Sequence, residues 1–142
     1  MVRQVILAFF GSIFPVILFN IDRKKLIWNG LCGALAWTVY LLSFELTKNT
    51  VMSSFMGAFT VGIYSETMAR KLKTPAMEFS IAGIFPLVPG MTAYKTITYI
   101  VEQNFIQAFA FGIQTLAVAG AVGFGIMLVA TVFRFFSRVV KE

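Results

Sequence analysis

The chain has 142 residues, 58% of them hydrophobic and 13% charged, against about 45–50% and about 25% in an ordinary soluble domain; this is the composition of an integral membrane protein with few residues to spare for a water-soluble catalytic body. One cysteine and no histidine exclude an internal disulfide, histidine-based triads and zinc sites of the His/Cys type. A net charge of +6 does not signal nucleic acid here, because the basic residues fall in short clusters where apolar runs stop rather than along one stripe.

A bilayer core of about 30 Å needs about 20 apolar residues per helix, and five runs of that order follow one another. The first covers 4–21 and ends at Asp22-Arg23-Lys24-Lys25. Arg3 ahead of an apolar stretch resembles a signal peptide, but no A-x-A-like site follows, so a retained helix is expected. The second covers 26–44, with Trp28, Trp37 and Tyr40 as interfacial anchors, and ends at Glu45. The third covers 49–65 and continues through Glu66 to Arg70, Lys71 and Lys73. The fourth covers 76–102 and the fifth 103–133. The expected fold is all-α and polytopic: a single transmembrane domain over 1–142, about five spans, the fourth broken between Pro86 and Gly90.

Lysines and arginines orient the bundle. They cluster after the first run, after the third and in the tail at Arg134, Arg138 and Lys141, whereas the turn after the second run holds Lys48 alone. Placing the three clusters in the cytoplasm puts the C-terminus there and the N-terminus outside. Small residues mark packing faces: Ser54, Ala58 and Gly62 in the third run, and Ala117, Ala121 and Gly125 in the fifth with Gly120 and Gly123 beside them. The fifth run would be about 46 Å long as one helix, so it must tilt, kink or pack on a partner.

The segment FPLVPGMTAYK, 85–95, carries the chemistry. Pro89 is the midpoint of 76–102. Two prolines remove backbone donors, Gly90 relaxes the backbone, and freed polar groups are tolerated in lipid only where they are buried in protein or line a wet cavity. A second half-helix beginning near Met91 and Thr92 would present unpaired amides at the positive end of its dipole, a geometry suited to a carboxylate and found at the midplane sites of secondary transporters. Thr92, Lys95, Thr96, Tyr99 and Glu102 recur at helical spacing, which predicts a wet face. Lys95, about 9 Å beyond Pro89, would add a cation, and Tyr94 and Tyr99 hydrogen bonds or a gate. The competing reading is a surface turn with Lys95 snorkelling to the headgroups. Glu66 is either a proton-coupling carboxylate or the i,i+4 partner of Arg70. Glu45 and Glu78, at helix ends, are expected to be solvated. No nucleophile–base pair or metal-ligand cluster emerges, so neither catalysis nor a cofactor is expected.

The stretches LFN, NGLCGALAWTVYLL, SETMARKLKTPAMEF and GIFPLVPGMTAYKT together resemble the threonine/serine exporter family. The likeness is to its C-terminal membrane half and to the small-subunit proteins that carry that half alone. It implies a bacterial inner-membrane exporter of small carboxylate-bearing metabolites: amino acids such as threonine and serine, or dicarboxylates such as succinate. It also implies a two-component transporter, with a larger membrane subunit supplying the missing N-terminal half; homo-oligomers stay open. The family pattern falls on Pro86, Leu87, Val88, Pro89, Gly90 and Tyr94, with Glu66, Arg70 and Pro75 upstream; Lys95 comes from the helix argument alone. The alternative function is a membrane assembly or regulatory subunit that stabilises a larger transporter subunit without touching substrate.

Overall fold

The computed structural model describes residues 1–19 and 23–139; the side chains of Arg23 and of 137–139 are not described. Of the predicted charge clusters, Asp22, Lys141 and the side chains of Arg23 and Arg138 therefore lie outside the described residues. Every regular element among the described residues is helical: α1 (Val2–Leu18), α2 (Leu26–Thr47), α3 (Thr50–Leu72), α4 (Met77–Ile84), α5 (Gly90–Val101) and α6 (Phe105–Val139), with short 3-10 turns at Arg23–Lys25 and Phe85–Leu87.

Two of these helices, α2 and the stretch Phe105–Phe136 of α6, are long and apolar enough to cross a membrane by length and composition. The 17 residues of α1 fall short of that length, and the 23 of α3 include Glu66, Arg70 and Lys71. With 8 and 12 residues, α4 and α5 would span only about 12 and 18 Å. The predicted fifth run is one helix of 35 residues, about 52 Å.

Local chemistry sets the boundaries. Lys48 ends α2 in the left-handed region at φ 51°, its amide donating to the Phe44 carbonyl. Asn49 follows in an extended conformation, and its side-chain oxygen accepts from the Val51 and Met52 amides, capping α3. Lys73 closes α3 in the same left-handed way, and Pro75 prevents its continuation. At the start of α6, Gln103 turns the chain at φ 58° and the Asn104 side chain accepts from the Gln107 amide.

The helix α3 is the hub, packed on α2, α4 and α6, while α1 lies on α2 and α4, and α5 lies on α6. The predicted small-residue faces do meet. A side chain at Gly125 would strike the Phe55 carbonyl at 3.0 Å and the Ala58 methyl at 3.2 Å, and one at Gly62 would strike Val129 at 2.8 Å. Gly120 and Gly123 face open space. Cys32, Ala36, Ala58, Val61, Leu87, Val118 and Val122 form the core where α2, α3, the 85–87 turn and α6 converge.

One expectation is corrected. Glu78 is not solvated: Lys25 Nζ donates to its Oε2 at 2.6 Å, with both side chains largely buried. The predicted polar face of α5 is mixed: Lys95 and Glu102 are exposed, while Thr92, Thr96 and Tyr99 are half-buried. Thr92, Thr96 and Thr98 donate their hydroxyls to the carbonyls of Pro89, Thr92 and Tyr94, and the Thr96 methyl lies beside Gly112 of α6. Met91, Tyr94, Ile97 and Val101 are exposed as well.

Candidate substrate site at the junction of α4 and α5

Helical bonding stops at Ile84 and resumes at Gly90. The Val88 amide donates back to the Ile84 and Phe85 carbonyls, and Val88 itself is extended at φ −60°, ψ 129°. Pro89 sits at φ −75°, ψ 52° while the Gly90 amide donates to the Val88 carbonyl at 2.7 Å, which is an inverse γ-turn. The Pro89 carbonyl then opens α5 by accepting from the Ala93 amide at 3.0 Å. No side chain caps this N-terminus, so the Met91 and Thr92 amides are the free donors expected of a first turn.

Those amides border a cavity of about 120 Å³ between the 85–92 segment, Trp37 and Tyr40 of α2, Thr50 and Ser54 of α3, and Val118 of α6. Drug-sized ligands occupy about 300–1,000 Å³, so this space suits a metabolite of few heavy atoms. Tyr40 stacks on Trp37 with ring centroids 4.7 Å apart. The indole Nε1–H of Trp37 is buried and lacks an acceptor among the described residues. Across Trp37 and Pro86 an apolar groove of about 260 Å³ continues along Gln4, Leu7 and Gly11 of α1. The side chains of Tyr40, Thr50 and Ser54 lie in this mostly apolar lining beside the start of α5, and hydroxyls next to a helix N-terminus can receive an acceptor ligand such as a carboxylate.

Of the predicted site residues, Pro86, Pro89, Gly90 and Thr92 line this cavity together. Tyr94 is 67% exposed and is not part of the lining. Lys95 and Tyr99 meet elsewhere: the Lys95 ammonium lies 5.2 Å from the centroid of the Phe111 ring of α6, and Tyr99 stacks on the same ring at 5.5 Å. Glu66 is half-buried on α3, twelve residues and hence about 18 Å along the helix from Ser54. Its suggested partner Arg70 turns instead to α6, donating to the Phe133 carbonyl at 3.2 Å and lying over the Phe133 ring. Sequence reasoning missed Trp37, Tyr40, Thr50 and Ser54 as lining residues. Ser54 was visible as part of the α3 packing stripe, whereas the two aromatics carry the pattern of interface anchors.

A family profile described as "Threonine/Serine exporter, ThrE" matches residues 4–132. The chain belongs to the threonine/serine exporter family. That is a family of transporters. An uncharacterized protein of Haemophilus influenzae is similar to it, 24% identical over 125 residues that cover 82% of this chain and 42% of the relative. The chain thus spans less than half the length of that relative. No solved structure matches the chain.

Proposed function

We propose that this family member is a small membrane subunit of a secondary exporter of carboxylate-bearing metabolites, threonine and serine or dicarboxylates such as succinate, and that the junction of α4 and α5 receives the carboxylate. The observation that carries the reading is the uncapped start of α5 facing a small cavity lined by Pro86, Pro89, Gly90 and Thr92. In this reading α4 and α5 are two halves of a fourth span, about 30 Å together, and the five spans leave the C-terminus on the cytoplasmic side of a bacterial inner membrane. In the same reading a larger membrane subunit completes the transporter. Lys95 and Tyr99 hold α5 against α6 and so set where its N-terminus points; Glu66 is the carboxylate available for ion coupling.

A second reading, an assembly subunit that stabilises its larger partner without contacting substrate, draws support from Lys95: its ammonium rests on Phe111 instead of lining the cavity. Export separates the two. Cells carrying the chain with its larger partner are loaded with labelled threonine, serine, succinate and threonine amide, which lacks the carboxylate. The substrate-site reading expects partner-dependent export of carboxylates and not of the amide, lost in Gly90→Leu at equal membrane abundance. Export unchanged in Gly90→Leu overturns it in favour of the assembly reading.

A further inference from the structure

Three buried polar side chains lie outside the lining of the cavity at Gly90. Ser12 of α1, Asn29 of α2 and Ser65 of α3 are 0%, 0% and 1% exposed. Both the amide nitrogen and the oxygen of Asn29, and the hydroxyls of Ser12 and Ser65, lack hydrogen-bond partners among the described residues. A buried polar group left unsatisfied is costly in protein, and no bulk water relieves it at membrane depth.

Ser12 and Ser65 both meet α2 within one turn of Asn29. The Ser12 hydroxyl presses into the space that Gly33 leaves by lacking a side chain. The Ser65 hydroxyl lies beside the Cys32 thiol, a weak partner, and one residue away the Tyr64 hydroxyl donates to the Trp28 carbonyl at 2.9 Å. Asn29 precedes Cys32 by three residues and Gly33 by four, so it occupies the strip of α2 between the two contacts, about 6 Å along the axis. Phe79 of α4 is fully buried and edge-on to Tyr64, the neighbour of Ser65 in the chain.

We infer that Ser12, Asn29 and Ser65 form an internal hydration site holding one or more ordered waters. The donor set selects this ligand. An anion would find no cation there, a metal ion would leave the Asn29 N–H₂ unsatisfied, and an apolar molecule would satisfy none of the groups. Water both donates and accepts, and buried waters typically make about three bonds to such groups. The Lys25–Glu78 pair lies one turn from Asn29 toward the α1–α2 turn, and Trp37 two turns away on the other side. The site therefore supplies a polar step on α2 between the ion pair and the cavity at Gly90.

Radiolytic hydroxyl labelling of the full chain in lipid nanodiscs tests this, because a bound water generates radicals in place and oxidises neighbours that bulk solvent does not reach. Phe79 and Cys32 are both 0% exposed, yet they are expected to be oxidised in the native protein. Their labelling is expected to fall at least tenfold in Asn29→Leu combined with Ser65→Ala, and part of the way in the milder Ser12→Ala. A native protein in which Phe79 and Cys32 stay unlabelled overturns the inference without recourse to any variant, as does labelling that the double substitution leaves unchanged.

Discussion

Lys25 Nζ lies 2.6 Å from Glu78 Oε2, joining the turn that enters α2 to the first turn of α4 across 53 residues of chain. Glu78 also sits where the dipole of α4 favours a negative charge. With side-chain exposures of 14% and 26%, the pair falls between the exposed class, worth about 0–1 kcal/mol, and the buried class, where removing one partner costs about 3–5. Lys25→Met or Glu78→Gln should each cost about 1–3 kcal/mol, read as a lowered midpoint of thermal unfolding in detergent. Exchanging the charges, Lys25→Glu with Glu78→Lys, should recover most of that loss.

Phe111 receives both Tyr99 and Lys95 from α5. Aromatic stacking contributes about 0.5–1.5 kcal/mol and a cation–π contact about 0.5–2. Phe111→Leu, which keeps apolar bulk and removes both interactions, should loosen α5 by about 1–3 kcal/mol. Hydrogen exchange over 90–101 should quicken while exchange in α3 stays unchanged, since α5 packs mainly on α6.

The α3–α6 contact leaves no room at Gly62 or Gly125, where an added side chain meets Val129 or the Phe55 backbone. Gly62→Leu and Gly125→Leu should each cost about 1–3 kcal/mol through overpacking and lower membrane abundance. Gly120→Leu, pointing into open space, should stay within about 0.5 kcal/mol of the native chain.

Asn49 caps α3 with two bonds from one side-chain oxygen. Asn49→Ala should cost about 1 kcal/mol, and Asn49→Asp, which keeps the acceptor, should restore thermal stability to near the native value.

What was legible in the sequence was what acts locally. Two prolines and a glycine interrupt a helix whatever surrounds them, so the stop near Ile84 and the restart at Gly90 follow from 85–90 alone. The four-residue spacing of Ser54, Ala58 and Gly62 and of Ala121 and Gly125 likewise announced a close helix contact, because only small side chains let two backbones approach. The mixed character of α5 was not legible: its threonines look polar in sequence, but Thr92, Thr96 and Thr98 each donate their hydroxyl to a backbone carbonyl three or four residues back. Lys25 and Glu78 each read as loop charge, since nothing local signals a partner 53 residues away. The full burial of Asn29 was not legible either, because sequence period gives a face and not a depth.

The central claim, that substrate meets the start of α5, is tested most directly by efflux of labelled threonine and succinate from vesicles containing the complete transporter, comparing Gly90→Leu with Gly120→Leu. Both glycines have open space for a side chain, so both variants should fold, but only Gly90 lines the cavity. The account predicts at least a tenfold loss of efflux in Gly90→Leu, with Gly120→Leu close to native. Native efflux in Gly90→Leu would contradict it.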